Sequence, residues 1–252
     1  MFAEERQEKI LELLRKRHRV SNTELIDMFG VSGTTIRIDL TEMEQKGLLS
    51  RTHGGAILKE ESVFGEDSIS SRREKNKELK EQVAVKARKE IKDGDSILLD
   101  SGTTALELAI LLKDVMNLTV ITNDLQIALV LQKYPDIHLI LLGGRVRNSF
   151  ECTVGGMGIR SLEELSVDKA FMTTNALSAA KGATTPNIDN AEIKRAMMKI
   201  ANKKYLLCDS QKMGSKTVCS FAKIHEFDCI FMDDQVSREQ RKALEEQGTL
   251  IR

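Results

Sequence analysis

The chain has 252 residues, room for two modest domains, with 41% hydrophobic and 30% charged residues, the balance of a globular protein. Lys plus Arg and Asp plus Glu number 38 each, and the first 58 residues hold nine of either sign, which excludes the overall basic balance of many nucleic-acid binders. No apolar run approaches the roughly 20 residues needed to span a bilayer and Met1–Arg6 has no signal-peptide core, so a cytoplasmic protein with no membrane partner is expected.

The spacing predicts a first helix over Ala3–Arg17, with Ile10, Leu13 and Leu14 on its inner side and positive charge dense at Arg15–Arg19. His18–Val20 reads as a connection. Ser21-Asn22-Thr23-Glu24 is a capping box, in which Ser21 and Glu24 satisfy each other's backbone donors. It opens a short helix, Thr23–Phe29, with Leu25, Met28 and Phe29 as the apolar side. A tight turn at Gly30 leads to a second helix, with Ser32 as N-cap and Gly47 at the left-handed stop. Ile36, Leu40 and Met43 form the stripe that faces a core. Thr34, Ile38, Thr41 and Gln45 fall opposite, with Arg37 beside them; a short, polar, outward face of this kind suits a major groove. Leu48–Ile57 reads as a small hairpin, a wing, with Arg51 and His53 placed to reach phosphates. Helix, short turn, helix and wing define a winged helix-turn-helix over residues 1–58.

Here a family resemblance emerges. Val31-Ser32, Thr35-Ile36-Arg37, Asp39-Leu40, Gly47-Leu48 and Arg51-Thr52-His53-Gly54-Gly55-Ala56 resemble the N-terminal signature of the DeoR family of bacterial transcription regulators. The candidate DNA-contacting residues are therefore Ser32, Thr34, Thr35, Arg37, Ile38 and Thr41 on the helix, and Arg51 and His53 on the wing. The family usually has a second Arg after Arg37, where this chain has Ile38. A phosphate or guanine contact is then missing, or replaced by apolar contact with a thymine methyl.

Residues 59–73 are charged and Ser-rich without a sustained period, and read as a linker. Glu74–Lys92 returns to helical spacing, with Leu79, Val83, Ala87 and Ile91 at steps of four. Short apolar runs then alternate with helical segments: Ser96–Leu99 and Thr104–Leu112, Leu118–Ile121 and Asp124–Gln132, and His138–Leu142 followed by an irregular Gly-rich stretch. Ala170–Thr173 and Asn190–Asn202, Tyr205–Cys208, and Cys229–Met232 with Ser237–Gly248 complete an α/β domain over residues 74–252 with a mostly parallel sheet. Cys152, Cys208, Cys219 and Cys229 show no Cys-x-x-Cys pair and no nearby His, so reduced buried thiols and no metal are expected. No cofactor is expected. His18, His138 and His225 are isolated and read as structural or exposed.

In parallel sheets ligands collect at the carboxyl ends of strands, and polar residues cluster there. Asp100-Ser101-Gly102-Thr103-Thr104 follows the first strand and opens a helix whose backbone N–H groups can face a phosphate. Thr122-Asn123, Gly143-Gly144-Arg145, Thr173-Thr174-Asn175 and Asp209-Ser210-Gln211-Lys212 end other strands. With Lys212 and Arg145 at neighbouring strand ends, an anionic ligand is the better reading than a capped turn. Together with Gly182-Ala183-Thr184-Thr185, these segments look like the effector domain of DeoR-type regulators. That domain is similar in fold to ribose-phosphate isomerase and glucosamine-phosphate deaminase, and in the family it binds a phosphorylated sugar or related metabolite. The resemblance implies a phosphate held by Ser101–Thr104, with Lys212 facing the anionic ligand or its hydroxyls. Asp100, Thr122, Asn123, Arg145 and Asn175 complete the candidate effector site.

A rival reading is an isomerase-like enzyme, which needs a positioned carboxylate base. Where the isomerases carry an Asp-rich segment, this chain reads Met172–Ser178, with no acid. Asp189-Asn190 looks like a helix cap and Glu192 like a first-turn acid, so no catalytic residue is assigned. A purely structural C-terminal half would have no reason to gather Lys212, Asn123, Asn175 and Ser-Gly-Thr-Thr at one edge. The expected protein is a ligand-controlled transcription regulator, a repressor of a carbohydrate-use operon. It would bind double-stranded operator DNA as a homo-oligomer, dimer or tetramer, under control of a phosphorylated sugar.

Overall fold

A computed structural model describes residues 2–17, 19–46, 48–52, 54–58 and 69–252. The chain divides into two compact units, residues 1–62 and 63–252.

The first unit opens with α1 (Ala3–Arg17), whose Ile10 and Leu14 are fully buried. Arg19–Ser21, expected as a connection, forms strand β1; three residues around the buried Val20 are too few to show a period. Helix α2 (Asn22–Phe29) starts one residue earlier than expected. Only half of its capping box forms. The Ser21 hydroxyl accepts from the Glu24 N–H at 3.1 Å, whereas the Glu24 carboxylate turns to Arg17 Nη1 at 2.6 Å. Leu25 is buried, but Met28 is 49% exposed, outside the apolar side assigned to it. Gly30, at φ 63°, takes the left-handed turn that ends α2.

Helix α3 (Gly33–Gln45) follows, capped by Ser32 as expected, and buries Ile36, Leu40 and Met43. Gly47, the expected stop, lies outside the described residues. Strands β2 (Leu49–Thr52) and β3 (Gly55–Leu58) form the wing, in an antiparallel sheet of order β1-β3-β2. Ile10, Leu14, Val20, Leu25, Ile36, Leu40, Met43, Leu49 and Ala56 make one core. Each fully buried Leu or Ile there contributes about 1.5–3 kcal/mol.

The second unit begins with a correction. Of the expected linker, 59–68 lie outside the described residues, but Ile69–Glu74 is a helix, α4, with Ile69 buried. Six residues rich in Ser and Arg show no helical period. Helix α5 (Lys77–Arg88) is shorter than the expected 74–92, although Ile91 beyond its end is still buried. Strand β4 (Ser96–Leu99) and α6 (Thr103–Ile110) come next, then β5 (Leu118–Thr122), α7 (Leu125–Leu131) and β6 (Ile137–Leu141).

The Gly-rich stretch is not irregular. It holds a hairpin, β7 (Arg145–Arg147) and β8 (Cys152–Val154), then helix α8 (Gly156–Glu163), whose small residues mask its period. Strand β9 (Val167–Thr173) is followed by β10 (Ala176–Ser178) and β11 (Gly182–Thr185). Helix α9 (Ile188–Lys199) is capped by Asn187, which accepts from the Asn190 N–H; Asp189 and Asn190 are not the cap but lie within the helix. Strand β12 starts at Ala201, where the helix was expected to continue, and runs to Leu207. Strand β13 (Cys219–Ala222), β14 (Cys229–Phe231), α10 (Arg238–Glu245) and β15 (Leu250–Ile251) close the chain.

Seven strands form one sheet in the order β15-β14-β12-β9-β4-β5-β6, and every neighbouring pair is parallel. A small antiparallel sheet, β10-β11-β13, sits apart from it. Alternating side chains feed two cores, one on each face. Ile97, Leu99, Phe171, Tyr205, Leu207 and Phe231 pack in one core that includes Val83, Ala87 and Leu108, from α5 and α6. Leu98, Ala170, Met172, Leu206 and Ile230 pack in the other, with Ile193, Met197 and Leu244 from α9 and α10. Chain direction across the sheet reverses between β4 and β9. From β4 the chain proceeds to β5 and β6 on one side, and from β9 to β12, β14 and β15 on the other. That reversal is the switch point at which such sheets open a crevice at their carboxyl ends.

Candidate functional sites

In the first unit the outward face of α3 is set by what its other face buries. Ile36, Asp39, Leu40 and Met43 are turned into the core, which leaves Ser32, Thr34, Arg37 and Ile38 exposed, Ile38 at 55%. Ile38 is therefore not part of the buried stripe of α3. The Arg37 carbonyl accepts from the Thr41 hydroxyl at 2.7 Å, while its guanidinium has no hydrogen-bond or ion-pair partner among the described residues. Thr35, half-buried, serves the helix start: its N–H donates to Ser32 Oγ at 3.1 Å and the two hydroxyls lie 2.9 Å apart. Thr41 and Arg51 are joined. Arg51 Nη1 donates to Thr41 Oγ1 at 2.6 Å, and the Arg51 N–H donates to Glu44 Oε1 at 2.7 Å. The wing strand is thus fastened to the last turns of α3. His53, the remaining wing candidate, lies outside the described residues.

In the second unit, the switch point is occupied by Asp100 at the end of β4 and Thr173 at the end of β9. Asp100 is fully buried. Its Oδ2 accepts from the Thr173 N–H at 2.8 Å and from the Lys194 ammonium, which reaches in from α9. The Thr173 hydroxyl lies 2.9 Å from Asp100 Oδ2 and 2.7 Å from the Ser101 carbonyl, and donates to one of them. Lys194 also donates to the Thr173 carbonyl at 3.1 Å, and its ammonium lies 5.2 Å from the centre of the Phe221 ring.

Gly102 has φ 149°, and a Cβ there would come within 3.0 Å of Thr173 Oγ1, so the loop can pass the strand end only as glycine. Its N–H donates to Asp124 Oδ2 at 3.2 Å, while Asp124 Oδ1 caps α7 by accepting from Gln126 and Ile127. Burial pushes the Asp124 carboxyl up to about 6, against the pull of these three N–H groups. Thr103 and Thr104, at the start of α6, are both buried.

The other expected residues are distributed around this centre. The Thr122 hydroxyl accepts from the Asp124 N–H at 3.1 Å, and Asn123 Nδ2 donates to the Thr153 carbonyl of β8 at 2.8 Å. Asn175, half-buried, donates its N–H to the Thr184 carbonyl at 3.1 Å. Arg145 is exposed and ion-paired with Asp189 at the start of α9. Lys212 lies beyond the end of β12, half-buried, with Nζ 3.1 Å from Asp209 Oδ2 but no aligned hydrogen bond to it. A set of buried polar atoms at this edge has no hydrogen-bond partner among the described residues: Asp100 Oδ1, Thr104 Oγ1, Asn123 Oδ1, Asp209 Oδ1 and Ser210 Oγ. Buried polar atoms are normally bonded, so these acceptors and hydroxyls are left open to further partners.

Two buried lysines near this edge were not singled out from sequence, Lys194 and Lys80, whereas Thr173 was named at its strand end. Lys194 and Lys80 were legible. Asn190, Ile193, Lys194, Met197 and Met198 form the buried stripe of α9, and Leu79, Lys80, Val83, Ala84 and Ala87 that of α5. A lysine within an apolar stripe must find partners inside. Among the described residues no group of His, Cys, Asp and Glu could hold a metal ion, and no helix is long and apolar enough to cross a membrane. All four cysteines are unpaired thiols; Cys219 is half-buried and the others buried.

A helix-turn-helix with its wing, joined in one chain to a parallel-sheet domain whose strand ends gather buried polar groups, defines a two-domain regulator. Residues 6–62 match the DeoR-like helix-turn-helix domain and residues 75–234 the DeoR C terminal sensor domain. The chain is similar to the HTH-type transcriptional regulator GolR of Listeria innocua, with 34% identity over 100% of this chain and 99% of that one. It is similar to the HTH-type transcriptional regulator GlpR of Haloferax volcanii, with 33% identity over 100% and 98%. A lactose phosphotransferase system repressor of Staphylococcus aureus is 34% identical over 92% and 93%. Among solved structures, ribose 5-phosphate isomerase A of Methanocaldococcus jannaschii aligns over 55% of either chain, with TM-score 0.41 and 21% identity. The chain belongs to the DeoR family of transcription regulators.

Proposed function

We propose that this regulator is a repressor of a carbohydrate-use operon. On this reading α3 enters the major groove of operator DNA, the wing lies along the backbone, and a phosphorylated sugar binds the switch-point crevice and changes operator affinity. The observation that carries the ligand half is the group of unpartnered buried polar atoms around Asp100, Thr104 and Asn123, beside the two lysines Lys194 and Lys212. The naming of a relative as a lactose phosphotransferase system repressor supports sugar control. Binding as a homo-oligomer follows from the way helix-turn-helix proteins read two half-sites.

Catalysis finds less support. Asp124, held at about 6, has the protonation behaviour of an acid–base group, but both of its oxygens accept backbone N–H groups and it functions as a helix cap. Asp100 is neutralised by Lys194. A thermal-shift screen against phosphorylated sugars tests the reading, since a specific ligand raises the melting temperature by mass action. A screen in which unphosphorylated sugars stabilise as well as their phosphates would overturn it.

A further inference from the structure

Lys80 is 4% exposed, and its ammonium donates to two backbone carbonyls, Arg72 within α4 and Lys75 just beyond it, the latter at 2.5 Å. Those bonds use two of its three donors, and among the described residues no carboxylate bonds to it. The charges that act on it are Lys212 and Asp209 at the end of β12, Arg72 of α4 and Glu107 of α6. Burial, and then Lys212, push the Lys80 ammonium down to about 8, and Arg72 adds to the effect, so like charges share this corner at a cost. The acceptors here are incompletely used: neither Asp209 oxygen has a hydrogen bond, and Ser210 Oγ and Thr104 Oγ1 are unpartnered.

Helix α4 is tied at a second point. Arg73 Nη2 donates to Glu151 Oε2 at 2.9 Å, and the Arg72 guanidinium lies 5.7 Å from the centre of the Phe150 ring. Phe150 and Glu151 lead into Cys152, which bridges to Asp124, and Asp124 holds the Gly102 N–H. One attachment of α4 therefore runs to α5 through Lys80, and the other to the loop before β8 that leads to Asp124. In chain order α4 is the first described element after the wing strand β3.

We infer that Lys80 is an anion-sensing residue of the effector site: with Lys212 it receives the phosphate, and through the Arg72 and Lys75 carbonyls it passes occupancy to α4. The inference rests on the sugar-phosphate reading above. A dianion between the two ammonium groups removes their repulsion and engages the third donor of Lys80, which redefines where the carbonyls of α4 are held. Coupling of this kind requires that α4 differ between empty and filled states.

The test uses the full chain with inorganic phosphate as the probe, followed by calorimetry and by backbone hydrogen exchange over Arg72–Asn76 and Thr103–Thr104. In the unsubstituted chain, phosphate slows exchange in both segments. Lys80→Met binds phosphate about tenfold more weakly, the loss expected for one charge-assisted bond, and at saturation protects Thr103–Thr104 but not Arg72–Asn76. Lys80→Arg, which keeps the cation, retains both effects and separates loss of charge from loss of fold. Protection of Thr103–Thr104 without any change in α4 of the unsubstituted chain overturns the inference alone, as does Lys80→Met behaving like the unsubstituted chain. Absence of phosphate binding to the unsubstituted chain overturns the effector-site reading, and the inference with it.

Discussion

Arg6 of α1 meets Asp39 of α3 in a buried two-point ion pair, Nε to Oδ2 at 2.5 Å and Nη2 to Oδ1 at 3.0 Å. Asp39 is on the inner face of α3, two residues from Arg37, so the pair fixes the rotation with which α3 presents its outer face. Breaking one partner of a buried pair leaves an uncompensated charge, and Asp39→Ala should cost about 3–5 kcal/mol. The double variant Arg6→Met, Asp39→Leu should recover most of that stability. Denaturant unfolding of the full chain measures both; near-equal stability of Asp39→Ala and the parent would remove this pair from the fold's support.

Arg37 and Arg51 should fail differently at DNA. If the exposed Arg37 guanidinium reads a base, as proposed, Arg37→Ala should weaken operator binding by about 1–3 kcal/mol and alter sequence preference. Arg51 is held by Thr41 and Glu44 and positions the wing, so Arg51→Ala should weaken all sequences alike. Thr41→Val, which removes the acceptor, should reproduce part of the Arg51→Ala loss. Gel-shift titrations against operator and scrambled duplexes distinguish these patterns.

Ile38 is 55% exposed, so Ile38→Ala should leave the melting temperature nearly unchanged. Its effect belongs at the duplex, as weaker binding to sites with a thymine at one position. A set of operators with single thymine replacements checks this. Equal affinity of parent and variant across the set would make Ile38 a bystander.

Much of this layout is legible in the sequence because periodicity is strongest where burial is one-sided or complete. The stripe of Ile36, Leu40 and Met43, the Ser32 cap and the strand at Ser96–Leu99 were read as they stand. Elements stabilised only by tertiary partners were not. Helix α4 is held by Lys80 of the next helix and by Glu151, which is distant in sequence, and α8 opens with Gly156 and Gly158. At the site, the strand-end loops were legible from polar residues after apolar runs. The buried lysines beside it, Lys194 and Lys80, come from helices, where the only signal is a lysine set within an apolar stripe.

Asp124 gives the protein a distinctive pH response. Its folded carboxyl, raised to about 6, binds a proton more tightly than the unfolded carboxyl near the ordinary aspartate value. Between those two values the native state holds more protons than the unfolded state. Stability from this group is therefore full below about 4 and is lost as pH rises through about 6. Asp124→Asn keeps a capping oxygen but cannot titrate, so its stability relative to the parent should rise between about pH 4 and pH 7. Denaturant midpoints measured across that range test it, and a constant difference would show that Asp124 does not titrate there.

The link between crevice and operator is tested most directly by operator affinity in the presence and absence of a sugar phosphate, for the parent chain and for Lys212→Ala. Fluorescence anisotropy with labelled operator supplies the reading, and calorimetry the ligand affinity. The parent should lose operator affinity when the ligand binds, because a ligand can shift DNA binding only by its differential affinity for the two states. Lys212→Ala should bind operator normally, bind the sugar phosphate more weakly, and need correspondingly more of it to release DNA. Release of operator by Lys212→Ala at the same ligand concentration as the parent would contradict an effector site at this edge of the sheet.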